Sequence, residues 1–188
     1  DELSHEIDDA VKNITSSGWY IGGNSLESFE ENFAKYSGAK YAIGVGNGLD
    51  ALILSLRALG IKDGDEIIVP SNTYIATWLA VSAVGAIPVP VEPDNDTYNI
   101  SIDNIKKHIT KKTKAIIPVH LYGHPVDADS IEEYVKDKDI FILLDAAQAH
   151  GAKYKGKPIG GIGNATAWSF YPGKNLGAIG DAGAITTN

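Results

Sequence analysis

The sequence predicts an α/β fold, with a mostly parallel (mixed) sheet flanked by helices. Short apolar runs recur along the chain, amphipathic segments of helical spacing separate them, and glycine-containing turns punctuate the alternation. Strands that alternate with helices are joined by crossovers, which favours parallel strands and covers both faces of the sheet. The 188 residues show no break in composition. We therefore expect residues 1–188 to form one domain with a sizeable core.

Two helices are predicted before the first strand. Leu3–Ile14 and Leu26–Tyr36 each carry apolar residues at helical spacing. Asn24 or Ser25 is expected to cap the second helix, because short polar side chains accept hydrogen bonds from first-turn amides. Gly38 is expected to end it. The residues between the two helices are expected to form a loop.

Strands and helices then alternate to the end of the chain. The predicted strands are Tyr41–Val45, Glu66–Val69, Ile87–Val91, Ala115–His120, Phe141–Leu144, Ala165–Phe170 and Gly183–Thr187. The predicted helices are Leu49–Leu59, Ile75–Val84, Ser101–His108 and Ala128–Lys136. In such sheets ligands bind at the carboxyl ends of the strands. These ends are where we look for chemistry.

Composition excludes several classes of function. The chain has no cysteine, which rules out disulfides, cysteine nucleophiles and cysteine metal sites. Its formal net charge of −8 and scattered basic residues argue against a nucleic-acid surface, and the basic cluster 106–114 is typical of a solvated face. No apolar run reaches the roughly 18 residues that span a bilayer. Without a recognisable signal peptide, we expect a cytoplasmic protein with no membrane partner.

The sequence also predicts that a longer protein surrounds this chain. It contains no methionine, and it ends directly after the strand-like run Ala184–Thr187. Its one arginine is Arg57. An arginine clamp for an anionic substrate would therefore be Arg57 or lie outside this chain.

A glycine-rich turn follows the first predicted strand, at Gly46-Asn47-Gly48-Leu49. Backbone amides at such a turn can bind phosphate where it opens a helix. It is not the dinucleotide fingerprint, because Leu49 stands where the last glycine is needed, and it lacks the ending of a P-loop. Phosphate binding and a plain strand–helix connection both remain open.

Aromatic and histidine side chains follow two further strands. Tyr74 stands at the head of a helix, where its ring could cover a flat heteroaromatic ligand or simply join the core. His120 and His124 suggest a metal pair, but no acidic third ligand lies nearby in the sequence. We expect no metal site, and local hydrogen bonds for one or both histidines.

Asp145 and Lys174 are the most informative polar residues. Asp145 follows four apolar residues at a strand end, where a carboxylate is costly to bury without a partner. A protonated ring nitrogen would be such a partner, although capping of the next turn is the simpler role. Lys174 lies among aromatic residues and glycines. A partly desolvated amine there suits Schiff-base formation with a carbonyl cofactor, whereas the alternative is one of fifteen ordinary lysines.

A phosphate cradle, an aromatic plate, a strand-end aspartate and an isolated lysine at one sheet edge together indicate pyridoxal phosphate (PLP). The chain resembles the DegT-type nucleotide-sugar aminotransferases, PLP enzymes of fold type I within the aspartate aminotransferase superfamily. The resemblance covers nearly the whole chain, in the family's order. Its motifs are Ser17–Gly23, Phe29-Glu30, Gly46–Leu52, Pro70–Tyr74, Val119–Gly123, Asp145–Gly151 and Ser169–Leu176.

The resemblance implies roles for the residues that contact the cofactor ring. Lys174 would form the Schiff base with PLP and later move the proton, with pyridoxamine 5'-phosphate as an intermediate. Asp145 would pair with the pyridine nitrogen. Tyr74 would stack on the ring, and Gln148 would hydrogen-bond its 3-oxygen.

The resemblance also implies how the phosphate is held. Ser169 and the amides of Gly48 and Leu49 would bind it. Many relatives have threonine at the position of Leu49, so a hydroxyl contact is lost here while the amide remains. Relatives that are dehydratases have histidine in place of the lysine, and Lys174 argues against that branch.

Family membership would make this chain the N-terminal, PLP-binding large domain of a longer protein whose C-terminal small domain is absent. Family dimers share active sites, so a homodimer is expected. The implied reaction moves an amino group from an amino acid, L-glutamate in most relatives, to a nucleoside-diphosphate keto sugar in deoxyamino-sugar biosynthesis. The branch that aminates dTDP-3-keto-6-deoxyhexoses is favoured. A 4-keto sugar aminotransferase, another fold type I activity such as a dehydratase, and a non-catalytic PLP-binding regulator are the alternatives.

Overall fold

The structure, a computed structural model, describes residues 2–188. Its helices are α1 (Ser4–Ser17), α2 (Asn24–Ser37), α3 (Gly48–Ala58), α4 (Ile75–Ala83), α5 (Ile102–Lys106) and α6 (Ala128–Val135), with a short 3-10 helix at Leu121–Gly123. Its strands are β1 (Tyr41–Val45), β2 (Glu66–Pro70), β3 (Ile87–Val91), β4 (Thr113–Ile116), β5 (Phe141–Asp145), β6 (Lys153–Tyr154), β7 (Lys157–Pro158), β8 (Ala165–Ser169) and β9 (Gly183–Thr187). Among the described residues, no helix combines the length and apolar character needed to cross a membrane.

Seven strands form one sheet in the order β1-β9-β8-β5-β4-β2-β3. The neighbours from β8 to β3 pair in parallel, whereas β9 is antiparallel to both β8 and β1. The predicted mostly parallel, mixed sheet is thus confirmed. Because β1 and β8 both run against β9, the carboxyl ends of β1, β2, β5 and β8 share one edge of the sheet.

Apolar side chains on both faces of the sheet bury it between helices. On β2, Ile67 and Val69 pack into a cluster with Leu52 and Leu56 of α3. Ile68, the residue between them, belongs to a different cluster that includes residues of α5 and α6. Alternate side chains of a strand point to opposite faces, so this split shows helices covering both sides. The central strands are therefore rigid supports for whatever follows their ends.

The structure departs from the sequence prediction at several places, and the predicted helix Ser101–His108 is shorter, at Ile102–Lys106. The fourth strand ends at Ile116 instead of reaching His120, since Pro118 has no amide N–H to continue the ladder. Neither Asn24 nor Ser25 caps α2; Gly23 occupies the cap position, and no side chain accepts a capping bond there. The two-residue strands β6 and β7 form a separate hairpin that was not predicted.

Candidate active site

One cavity of about 550 Å³ opens at the carboxyl edge of the sheet. All seven residues that the resemblance assigned to the cofactor line it: Gly48, Leu49, Tyr74, Asp145, Gln148, Ser169 and Lys174. They come from four separate motifs of the chain. The structure therefore brings together the whole predicted set.

The N-terminus of α3 and the end of β8 form one wall of this cavity. Asn47 caps the helix, and its Oδ1 accepts from the Asp50 amide at 2.8 Å. The amides of Gly48 and Leu49 lie in the first turn, which has no intrahelical acceptors. A Cβ at Gly48 would come within 2.8 Å of Ser169 Cβ, so only glycine allows this backbone to lie against Ser169. Free amides beside a serine hydroxyl at a helix N-terminus suit a phosphate group.

Asp145 is a buried carboxylate, only 6% exposed, at the end of β5. Its Oδ2 accepts from the Thr77 hydroxyl at 2.9 Å, and its Oδ1 accepts from the Ala147 amide at 3.1 Å. Burial raises the pKa of Asp145, while the Ala147 amide, the Thr77 hydroxyl and the charge of Lys174 lower it. The bond from the Ala147 amide is the local capping bond that the simpler interpretation expected, and the carboxylate is buried as well. A cationic N–H donor would stabilise its charged form.

The backbone of the 3-10 helix fixes the orientation of the Gln148 amide. The Tyr122 amide donates to Gln148 Oε1 at 2.7 Å. Because a backbone N–H can only donate, the oxygen of Gln148 must face it, and the NH₂ group is the end left to bind a ligand. Tyr122 adopts a left-handed conformation with φ of 53° to reach this position. Gln148 therefore presents a hydrogen-bond donor, as an oxygen of a bound ring would require.

Tyr74 and Lys174 lie at the open side of the cavity. Tyr74 is the residue that precedes α4, and it is 72% exposed, so its ring is not a core aromatic. Lys174 is half-buried in the segment after β8, and its amide donates to the Tyr171 carbonyl at 2.8 Å in a tight turn. An exposed ring and a lysine amine facing one cavity can cover and bond a flat carbonyl compound.

Several cavity residues were not predicted. Asn47, Thr73, Thr77 and Asp181 also line the site. Thr77 was hidden because it lies inside a predicted helix, where its bond to Asp145 depends on the packing of α4 against the end of β5. A threonine directly facing a strand end gives no sequence signal on its own. Asn47 did have one, since an asparagine before a helix is a common cap.

The structure separates the remaining polar candidates from this site. Arg57 lies in the last turn of α3, about 14 Å along the helix from Gly48. His120 is fully buried, and its Nδ1 accepts from the Val126 amide at 3.1 Å, which confirms the expected local hydrogen bond. Among residues 2–188, no three histidine or acidic side chains are grouped to hold a metal ion.

Comparison with known proteins gives close relatives. The chain is 58% identical over 183 residues to dTDP-3-amino-3,6-dideoxy-alpha-D-galactopyranose transaminase of Aneurinibacillus thermoaerophilus, covering 97% of this chain and 50% of that protein. It is 53% identical over 187 residues to dTDP-3-amino-3,4,6-trideoxy-alpha-D-glucose transaminase of Streptomyces venezuelae, covering 100% of this chain and 49% of the relative. Both are nucleotide-sugar transaminases.

A solved structure has nearly the same fold. The crystal structure of S. venezuelae DesV in complex with a ketimine intermediate superimposes with a TM-score of 0.96 at 53% identity, over 99% of this chain and 50% of that one. The chain thus spans about half the length of the relatives that it matches. Its likeness to a fold type I aminotransferase confirms the predicted fold class. The family model for DegT/DnrJ/EryC1/StrS aminotransferases matches residues 1–188, and the chain belongs to that family.

Proposed function

We propose that this chain forms the cofactor-binding part of a PLP-dependent aminotransferase that acts on nucleotide sugars. The observation that carries the proposal is the single cavity that Lys174, Asp145 and the phosphate-cradle residues line together. The family is PLP-dependent, which supports the same cofactor here. The chain matches half the length of its relatives, so the activity of the whole protein is part of this proposal.

The residues present fit PLP at each of its polar ends. The Gly48 backbone packs too closely against Ser169 to allow a Cβ, and Gly48, Leu49 and Ser169 all line the cavity. At the other end, the buried carboxylate of Asp145 has one hydrogen bond to each oxygen and remaining lone pairs for a ring N–H. Gln148 directs its NH₂ group into the cavity. We propose the phosphate at the Gly48–Ser169 wall and the ring nitrogen at Asp145.

Bound PLP supplies an aldehyde for amines and a ring that accepts the electron pair left when a bond at an amino acid's α-carbon breaks. Lys174 Nζ is proposed as the amine that would bond the aldehyde carbon and, once displaced from it, would move the proton from the amino acid's α-carbon to that carbon. Asp145 holds a proton at the ring nitrogen by its negative charge. Tyr74 covers one face of the ring and excludes water there.

The names of the two relatives support a dTDP-linked 3-keto-6-deoxyhexose as the amino acceptor. L-glutamate is the proposed donor. We further propose that the protein works as a homodimer with shared active sites, since Tyr74 lines the cavity and is exposed, so a second chain can cover it.

Half-transamination tests this function. The purified full-length protein, loaded with PLP, is expected to lose its visible absorbance band on addition of L-glutamate and to release one equivalent of 2-oxoglutarate. A dTDP-3-keto-6-deoxyhexose should then restore the band and yield the amino sugar. If only a 4-keto sugar restores the band, the protein is a 4-keto sugar aminotransferase instead. Absence of 2-oxoglutarate with every amino donor would favour a regulator, and loss of a sugar hydroxyl would indicate a dehydratase.

A further inference from the structure

The segment 171–182, which carries Lys174 and joins β8 to β9, has few attachments to the rest of the chain. Every residue in it is exposed or half-buried. Its backbone makes a turn at Lys174 and accepts or donates three bonds near its ends: the Tyr171 amide to the Ser169 hydroxyl, the Ala178 amide to the Phe170 carbonyl, and the Phe170 amide to the Ala182 carbonyl. Among the described residues, Asn175 makes the two hydrogen bonds that join a side chain of this segment to another part of the chain. Asn175, the residue after Lys174, therefore supplies the side-chain attachment nearest to the lysine.

Asn175 and His150 are joined by a reciprocal pair of hydrogen bonds. Asn175 Nδ2 donates to the His150 carbonyl at 3.0 Å, and Asn175 Oδ1 lies 2.8 Å from His150 Nδ1. A carbonyl can only accept, so the NH₂ group of Asn175 must face it and Oδ1 must face the ring. His150 Nδ1 therefore carries the ring proton. The side-chain contact assigns one tautomer to this histidine.

The surroundings of His150 keep the ring neutral and fixed. It lies between Trp168 and Phe170, with ring centroids 5.4 Å and 5.2 Å away, and it is buried. Burial lowers the pKa of His150. The Ser169 backbone lies close enough to the ring to raise the pKa in part, but Nε2 is buried and makes no hydrogen bond of normal geometry among the described residues. The unpaired Nε2 acceptor makes burial of this imidazole costly. The hydrogen bond at Nδ1 is therefore what the histidine contributes and a hydrocarbon side chain could not replace.

Consecutive residues of the segment face different cavities. Lys174 lines the cofactor cavity, whereas Asn175 lines a separate groove together with His150. The hydrogen bonds of Asn175 hold its side chain on one side of the backbone. The side chain of Lys174, the preceding residue, is therefore directed to the opposite side, toward the cofactor cavity.

We propose that His150, as its Nδ1–H tautomer, is a positioning residue for Lys174 and acts through the paired hydrogen bonds with Asn175. The inference rests on the proposed function of Lys174 as the amine that bonds the cofactor. It adds to that function a requirement on a residue that does not line the cofactor cavity.

Two substitutions of His150 separate this role from packing. In His150→Asn the side-chain amide nitrogen takes the place of Nδ1, whereas in His150→Gln it reaches the place of Nε2. Both lose the ring contacts with Trp168 and Phe170, so thermal unfolding provides the check that they are equally folded. The readout is the rate at which borohydride fixes PLP on Lys174, located by peptide mass spectrometry in the full-length protein.

We expect His150→Asn to retain most of the wild-type trapping rate, and His150→Gln and Asn175→Leu to lose about tenfold, the effect of one lost hydrogen bond. Equal rates in His150→Asn and His150→Gln at equal stability would overturn the proposal. If the wild-type protein itself fixes no PLP at Lys174, the proposed function fails instead, which distinguishes the two.

A second measurement needs no cofactor. In ¹⁵N spectra of histidine-labelled protein, His150 should show a protonated Nδ1 and an unprotonated Nε2 at neutral pH. His120 provides the internal contrast, because its Nδ1 accepts from the Val126 amide and its Nε2 must carry the proton. A His150 ring protonated at Nε2 would contradict the assigned pairing.

Discussion

The hydroxyl of Thr77 donates to Asp145 Oδ2 at 2.9 Å, which joins helix α4 to the end of strand β5 inside the cavity. The Thr73 hydroxyl lies 2.9 Å from the Thr77 hydroxyl. Since a carboxylate only accepts hydrogen bonds, the Thr77 hydroxyl donates to Asp145 and must accept a hydrogen bond from the Thr73 hydroxyl. The buried aspartate is therefore held by a directed chain of hydroxyl groups.

Replacing Thr77 tests the value of this chain. Thr77→Val keeps the shape of the side chain but removes the donor, so the pKa of Asp145 should rise further and its charged form should bind a ring N–H less well. We expect PLP affinity to fall about tenfold, measured by equilibrium dialysis. Thr77→Ser retains the hydroxyl and should stay close to wild type. Equal affinities in the valine and serine variants would show that the hydroxyl has no such role.

Asp145→Asn should separate stability from cofactor binding. Burial raises the pKa of Asp145, so the folded protein without cofactor holds its proton more tightly than the unfolded chain does. The contribution of Asp145 to the free energy of unfolding is therefore greatest when the carboxyl is protonated, and it is lost as pH rises above 3.8, the ordinary pKa of this group in the unfolded chain. The asparagine variant lacks this loss, so its stability relative to wild type should increase with pH and then level off, while PLP affinity falls. Urea unfolding across pH tests the first point; a stability difference between variant and wild type that does not change as pH rises above about 3.8 would contradict it.

Gly48→Ala should weaken phosphate binding directly. The added Cβ would lie 2.8 Å from Ser169 Cβ and would push the first turn of α3 away from the serine. We expect the affinity for PLP, and for inorganic phosphate as a competitor, to fall at least about tenfold. Gly180→Ala is the matched control, because a Cβ there meets nothing within 4 Å. If both alanine variants bind PLP alike, the phosphate lies elsewhere.

His120 should make the protein less stable in acid. Burial is the main cause that lowers its pKa, from 6.5 to about 4. Below pH 6.5 the imidazole of His120 is protonated in the unfolded chain but stays neutral in the folded protein. The free energy of unfolding therefore falls by about 3 kcal/mol between pH 6.5 and a pH of about 4. His120→Asn places an oxygen where Nδ1 accepts from Val126 and cannot titrate. Its unfolding free energy should depend less on pH over this interval; an unchanged slope would contradict the assignment.

The repeating pattern of the sequence was sufficient for the sheet. Runs such as Tyr41–Val45 and Ile87–Val91 are strands with the predicted bounds, because a local apolar run between turn residues is sufficient to predict a strand even at the sheet edge. Prediction failed where a single backbone group decides. Pro118 ends β4 early for want of an N–H, and Gly23 takes the cap position that a polar side chain was expected to fill.

The site divides in the same way. Asp145, Lys174 and the turn at Gly48 are visible in the sequence, since each is chemically unusual at a strand end. Thr77 and the amide of Tyr122 are not, because they meet Asp145 and Gln148 only after α4 and the 3-10 helix are packed. Residues that orient another side chain of the candidate site through tertiary contacts have no local pattern of their own.

Covalent attachment of PLP to Lys174 tests the central proposal most directly. The full-length protein is incubated with PLP, reduced with borohydride and digested, and the modified peptide is identified by mass spectrometry. We predict that Lys174 is the one modified lysine. Addition of L-glutamate before reduction should prevent its modification, and the Lys174→Ala variant should show no adduct on this peptide. Modification of a different lysine, or an unchanged adduct in Lys174→Ala, would contradict the account.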